Sequence, residues 1–219
     1  MNDYFWQILF HLSLFAIVVP CTVTTLTWHK QPKSMRLFGL GLICYFLVFL
    51  CSMNLKIPKF NGIYQYLSAL SDCIFFSIFY YQFSQKRHFK SIMFGVALLV
   101  CVSIIIEYFV FYNQLKNPQL SFLFKNIFLF VASLYILKTL FLQIKISNLA
   151  TRPIFWIATT KFTIICYSMI FEMVKSVLLE KYLNIYLIMY AIDLLLHIVV
   201  QMVFARAIYL GQYFHKSKF

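Results

Sequence analysis

Apolar side chains along this chain come neither in alternation nor in narrow helical stripes, but in long unbroken runs closed by short polar segments. Crossing about 30 Å of hydrocarbon takes roughly 20 helical residues. Seven runs approach or exceed that length: Phe5–Trp28, Leu37–Met53, Ile63–Phe83, Ile92–Tyr112, Leu120–Leu142, Pro153–Leu178 and Tyr182–Tyr209. Stretches such as Phe94-Gly95-Val96-Ala97-Leu98-Leu99-Val100-Cys101-Val102 show no two-residue alternation. This counts against a β-barrel, whose strands alternate apolar and polar positions over about ten residues. A continuous apolar run in lipid satisfies its backbone groups only as a helix. The pattern predicts an all-α polytopic membrane protein, with seven transmembrane helices in a single domain over residues 1–219 and no connection large enough for a soluble domain.

Composition agrees with the pattern. Of the 219 residues, 63% are hydrophobic, 20% aromatic and only 11% charged. Soluble domains carry about 25% charged residues. So few charges cannot cover a water-facing surface, which excludes a soluble globular enzyme. The same apolarity excludes a disordered chain.

Charge then sets the expected orientation, because Lys and Arg gather in short cytoplasmic loops. One side has Lys30, Lys33, Arg36, Lys86, Arg87, Lys90, Lys145, Arg152, Lys216 and Lys218, ten in all, against four on the other, Lys56, Lys59, Lys116 and Lys181. The N-terminus is therefore expected outside and the C-terminus in the cytoplasm. The net charge of +13 is mostly this topogenic charge, and it suits an anionic inner leaflet. Scattered over short loops, it does not form a nucleic-acid face. Asp3 stands where a signal peptide would have a basic region, so the first run reads as a retained helix. Trp6, Trp28 and Trp156 fall near span ends, as interfacial aromatic belts require.

Chemical motifs are sparse. All six cysteines (Cys21, Cys44, Cys51, Cys73, Cys101, Cys166) fall inside spans without a C-x-x-C pair, and read as small buried residues. The five histidines are dispersed, with no H-E-x-x-H and no Asp-rich cluster, so neither a metal centre nor a cofactor is expected. No phosphate-binding loop or nucleophile elbow is present. The last span has no lysine for a retinal Schiff base, and the one Pro-Gln pair, Pro118-Gln119, falls in an outer loop.

The informative residues are the ionisable ones inside the spans. A charge at the bilayer centre costs about 2.5–3.5 kcal/mol on insertion scales and turns toward the bundle interior. At about 1.5 Å per residue, Asp72 lies roughly 13 Å and Asp193 roughly 16 Å from the outer span ends. Glu107, Glu172, Lys125 and His11 lie at roughly 8–9 Å, and Lys161 is eight residues above the inner end of its span. Asp193, His197 and Gln201 follow i, i+4, i+8, while Lys161, Ser168, Glu172 and Lys175 share another helix face. Ser103 precedes Glu107 by one turn, and Lys125 and Asn126 precede Ser133 by two. These stripes read either as interhelical glue, as a cavity open to the outside, or as an ion path. Asp72 and Asp193 lie deepest and have no cation one turn away, which makes them the leading site candidates. Glu172 and Lys175, at i, i+3 near the interface, read most readily as simple interhelical glue. No catalytic residue is assigned.

The stretch Asn61-Gly62-Ile63-Tyr64-Gln65-Tyr66 leading to Asp72, and Pro153-Ile154-Phe155-Trp156 opening the sixth span, resemble the small seven-helix membrane proteins of uncertain function found in AT-rich bacteria. Fifteen Lys against four Arg suits such a genome. The resemblance implies a bacterial inner membrane and transfers no active site. The leading functional expectation is a sensor or binding module with an outward-facing polar cavity, signalling through basic inner loops to a cytoplasmic effector protein. The alternatives are a channel or transporter subunit, as a homo-oligomer, and a lipid-modifying membrane enzyme using Asp193 and His197.

Overall fold

The computed structural model describes residues 3–54, 60–83, 87–111, 120–143 and 146–213. Among them the chain is helical and has no strand. The helices are α1 (Asp3–Phe15), α2 (Val18–Thr27), α3 (Lys33–Asn54), α4 (Phe60–Phe83), α5 (Arg87–Phe111), α6 (Leu120–Gln143), α7 (Pro153–Lys181) and α8 (Leu183–Gly211), with 3-10 turns at Trp28–Lys30 and Ile146–Thr151. Five stretches are long and apolar enough to cross a membrane: Tyr4–Lys30, His88–Val110, Phe122–Leu142, Pro153–Lys175 and Leu183–Gly211. Their outer surfaces carry large apolar groups, such as Leu99 at 68% and Phe109 at 78% exposure. A water-soluble fold does not present faces like these.

The first apolar run is not one helix. It breaks at Ala16–Ile17, between α1 and α2. The cause is Pro20, which has no N–H to return to the Ala16 carbonyl. That carbonyl is taken by the Val19 N–H at 3.2 Å instead, a tighter turn that bends the axis. Downstream, the hydroxyls of Thr22, Thr24 and Thr27 donate back to the carbonyls of Val18, Pro20 and Val23. Such bonding keeps hydroxyls satisfied where water is absent, and it also bends helices.

The chain forms two compact units, one of Met1–Pro32 with Leu140–Phe219 and one of Lys33–Thr139. In the second unit, α4 packs against both α3 and α5. Gly41 on α3 permits a close approach, since a Cβ there would lie 2.7 Å from the Phe75 ring. Phe38 lies beside it with its ring 5.8 Å from Phe76 and 5.0 Å from Phe79. Tyr66 meets Tyr108 edge-on at 5.3 Å, while Cys73 Sγ lies 3.9 Å from the Ala97 carbonyl, so α4 and α5 run antiparallel. Two polar bonds tie α4 to α6, Asp72 to Lys125 and Tyr80 to Ser133, both with a sequence separation of 53. An identical offset at two levels requires the two helices to run parallel and in register.

In the first unit, α7 and α8 form an antiparallel hairpin. Phe171 stacks on Tyr186 near the turn and Trp156 carries Arg206 at the far end. The turn is the single residue Tyr182, at φ −139° and ψ 58°, whose N–H donates to the Leu178 carbonyl and whose carbonyl accepts from Ile185 and Tyr186. The sixth and seventh apolar runs are therefore two elements, not one bent helix. At the start of α7, Pro153 occupies the first turn, where its missing donor costs nothing. Both α1 and α2 pack on α8. Trp6 stands 6.1 Å from Tyr190, near the start of α8, so the first apolar run goes parallel to the last.

Candidate functional site

The sequence-predicted residues divide between the units. Asp72, Glu107 and Lys125 belong to the second unit, while His11, Lys161, Glu172, Asp193 and His197 belong to the first.

In the second unit the structure supplies Asp72 with a cation from another helix. Lys125 Nζ lies 3.5 Å from Asp72 Oδ2, with the lysine side chain 6% and the aspartate 26% exposed. The same ammonium lies 4.0 Å from the centre of the Phe122 ring, one turn earlier on α6. A ring face attracts a desolvated ammonium by its quadrupole, so the lysine is held on two sides. Glu107 and Asn126 are buried as well. Two turns along, the Tyr80 and Ser133 hydroxyls share a hydrogen bond of 2.8 Å, and both residues are fully buried. Tyr80 is thus a core residue, although its position invites an interfacial reading. Its signal was present in the sequence: Tyr80 follows Asp72 by eight residues and Ser133 follows Lys125 by eight.

In the first unit the polar groups gather along α7 and α8. Asp193 Oδ2 lies 3.8 Å from His197 Nε2 across one turn, with side chains 19% and 48% exposed. Glu172 Oε1 lies 3.3 Å from Lys175 Nζ, and both stand within Coulombic reach of Asp193. The Tyr167 hydroxyl donates to the Met189 carbonyl, one turn before Asp193. The far end of the predicted stripe, Gln201, has a buried Oε1 with no hydrogen-bond partner among the described residues. Lys161 is half-buried on α7, and His11 is exposed on α1 with its ring against Phe10.

Within Coulombic reach of Asp193 at Tyr167 and Tyr190 runs a row of rings that polar spacing alone does not reveal. Tyr167 stacks near Phe171 at 6.1 Å, Phe171 near Tyr186 at 5.8 Å, Tyr186 near Tyr190 at 6.1 Å, and Tyr190 near Trp6 at 6.1 Å. The row joins α7, α8 and α1. Its helical signal is the i, i+4 spacing of Tyr167 with Phe171 and of Tyr186 with Tyr190. A carboxylate beside stacked ring faces presents negative potential from two sources, the charge and the quadrupoles. Among the described residues, no three His, Cys, Asp or Glu side chains stand close enough to hold a metal ion. The chain matches no protein-family model, no curated protein and no solved structure.

Proposed function

We propose that this chain is a seven-helix binding module of a bacterial inner membrane, with its N-terminus outside. It takes a small lipophilic cation at the outer half of α7 and α8, and it signals through basic inner loops to a cytoplasmic effector. The observation that carries the reading is Asp193, held beside a row of aromatic rings and shielded from water on most sides. An organic cation gains from both partners there, and a neutral ligand from only one.

The topology has its own support. The first apolar run is parallel to α8, which favours an odd number of crossings. The parallel register of α4 with α6 favours a full crossing for α4 as well as for α5 between them. The ten-to-four bias of Lys and Arg favours a cytoplasmic C-terminus, although Lys56, Lys59, Lys86, Lys116, Lys145, Lys216 and Lys218 lie outside the described residues. The excess of Lys over Arg and the resemblance to small membrane proteins of AT-rich bacteria support the bacterial setting.

The test is saturable binding of radiolabelled tetraphenylphosphonium to the purified protein. Asp193→Asn is expected to weaken it by about tenfold, the effect of removing about 1.4 kcal/mol of interaction, and Tyr190→Ala by several-fold. Non-saturable partitioning that is equal in parent and variants rejects the reading.

A further inference from the structure

We propose that the opposite end of the same helical hairpin, where Arg206 lies over Trp156, is a binding site for an anionic phospholipid. Charge along α7 and α8 is segregated. The acids Glu172, Glu180 and Asp193 all belong to the half nearer Tyr182, and the sequence has no Asp or Glu from 108 to 171 or from 194 to 219. The half nearer Pro153 and Gly211 contains Arg152, Lys161 and Arg206, and its sequence has no Asp or Glu.

Arg206 is the best-formed part of this end. It lies five residues before the end of α8, about 7.5 Å from the helix end. Its guanidinium carbon stands 4.9 Å from the centre of the Trp156 ring. The indole is itself fixed, since its Nε1 donates to the Ala150 carbonyl at 2.7 Å and its edge meets Phe155 at 5.8 Å. The guanidinium is therefore held by one face, and among the described residues neither an acceptor on its edge donors nor a carboxylate pairs with it. A planar fork of N–H donors at a fixed place is the geometry that phosphate accepts.

The surroundings fit the rest of the same ligand. Tyr209 and Tyr213 follow Arg206 at i+3 and i+7, both exposed, with hydroxyls 2.9 Å apart. A hydroxyl pair spends one hydrogen on itself and keeps one for a headgroup oxygen. In the other direction Met202, Val199 and Leu195 continue the same exposed line of α8 toward the bilayer centre. Phenols, guanidinium and aliphatic side chains thus follow the order glycerol headgroup, phosphate, acyl chain.

The experiment uses the full chain with Trp6→Phe and Trp28→Phe, which leaves Trp156 as the sole tryptophan, reconstituted in phosphatidylcholine bilayers. Dibrominated phosphatidylglycerol or dibrominated phosphatidylcholine is added at equal mole fraction, and quenching of Trp156 is read. The anionic lipid is expected to occupy the site about fivefold more than the zwitterionic one, the preference one basic residue confers near an anionic lipid. Arg206→Gln should bring the two lipids to parity, and Arg206→Lys should retain about half of the preference. Tyr209→Phe, which removes one hydroxyl, should lower the preference about twofold and serves as the test if Arg206→Gln fails to accumulate. Equal quenching by both lipids in the parent overturns the site. So does a preference that survives Arg206→Gln, or Tyr209→Phe in its place, because diffuse attraction by the basic end or an acidic protein partner would then account for the charge.

Discussion

Each unit of this molecule has one deep aspartate, and the two are held in opposite ways. Asp72 on α4 is bound across a helix boundary by Lys125 of α6, whose ammonium is almost fully enclosed and also rests on Phe122. Asp193 on α8 has its nearest charged neighbour on its own helix, one turn away, in the half-open His197, with Glu172 and Lys175 of α7 only within Coulombic reach. The first arrangement fixes which helix lies beside which. The pair with His197 does not itself join two helices, since α8 would form it alone. A polar pair that spans two elements stabilises the fold, whereas a pair within one element leaves its free faces for something else. In lipid the distinction is sharp, because helices there gain no hydrophobic drive from meeting each other and depend on packing and polar contacts.

The largest expected effect comes from breaking the cross-helix pair. Lys125→Met leaves the Asp72 carboxylate in a largely enclosed place without its ammonium, and removing one partner of a buried pair costs about 3–5 kcal/mol. The loss is read as a lower midpoint of detergent-induced unfolding. Adding Asp72→Asn to Lys125→Met should recover most of it, since the cost lies in the orphaned charge. A double variant as unstable as the single one would show that Lys125 contributes through packing on Phe122 instead.

A smaller loss is expected where α3 meets α4. Gly41→Ala brings a methyl group to 2.7 Å from the Phe75 ring. The ring must turn or the helices must part, and overpacking of this kind costs about 1–3 kcal/mol. Gly41→Ala with Phe75→Leu should be more stable than Gly41→Ala alone. If Gly41→Ala is neutral, α3 is free to move away from α4, and the second unit is held less tightly than its ion pair implies.

Sequence and structure agree best on the elements themselves. Leu120, Phe83 and Pro153 bound apolar runs and helices alike, because hydrocarbon thickness and backbone hydrogen bonding leave little choice of where a helix begins and ends. The break at Ala16–Ile17 escaped the hydropathy pattern, since apolar character is silent about backbone geometry. Pro20 and the run of threonines after it contained the information. Contacts within one helix were equally legible, as Asp193 with His197 and Glu172 with Lys175 follow from i, i+4 and i, i+3 spacing. The partnership of Asp72 with Lys125 was not, because the chemistry of a lysine does not specify which of several helices it faces. Only the matched eight-residue steps, Asp72 to Tyr80 and Lys125 to Ser133, hint at two helices in parallel register.

That register makes a finer prediction. Tyr80→Phe and Ser133→Ala each remove the second tie between α4 and α6. Interhelical hydrogen bonds in membranes average about 0.6 kcal/mol, so each variant should lose about that much and the pair together little more than one alone. A measured coupling near zero would mean that the two hydroxyls are satisfied elsewhere, and that the Asp72–Lys125 pair alone aligns the helices.

The smallest effect on stability, and the sharpest contrast, is expected at Asp193. Its pair with His197 is an i, i+4 contact, and such pairs stabilise a helix by about 0.2–0.5 kcal/mol. Asp193→Asn keeps the size of the side chain and removes only this weak contact, so the unfolding midpoint should barely move. Tetraphenylphosphonium binding, by contrast, should fall about tenfold, because an amide offers the cation a dipole in place of a charge. His197→Gln separates the two roles further. If the imidazole only orients the carboxylate, binding should change by less than threefold. If it competes with the cation for Asp193, binding should strengthen. A loss of stability at Asp193 as large as that at Lys125 would erase the difference between the two aspartates and with it the reason to regard this one as the site.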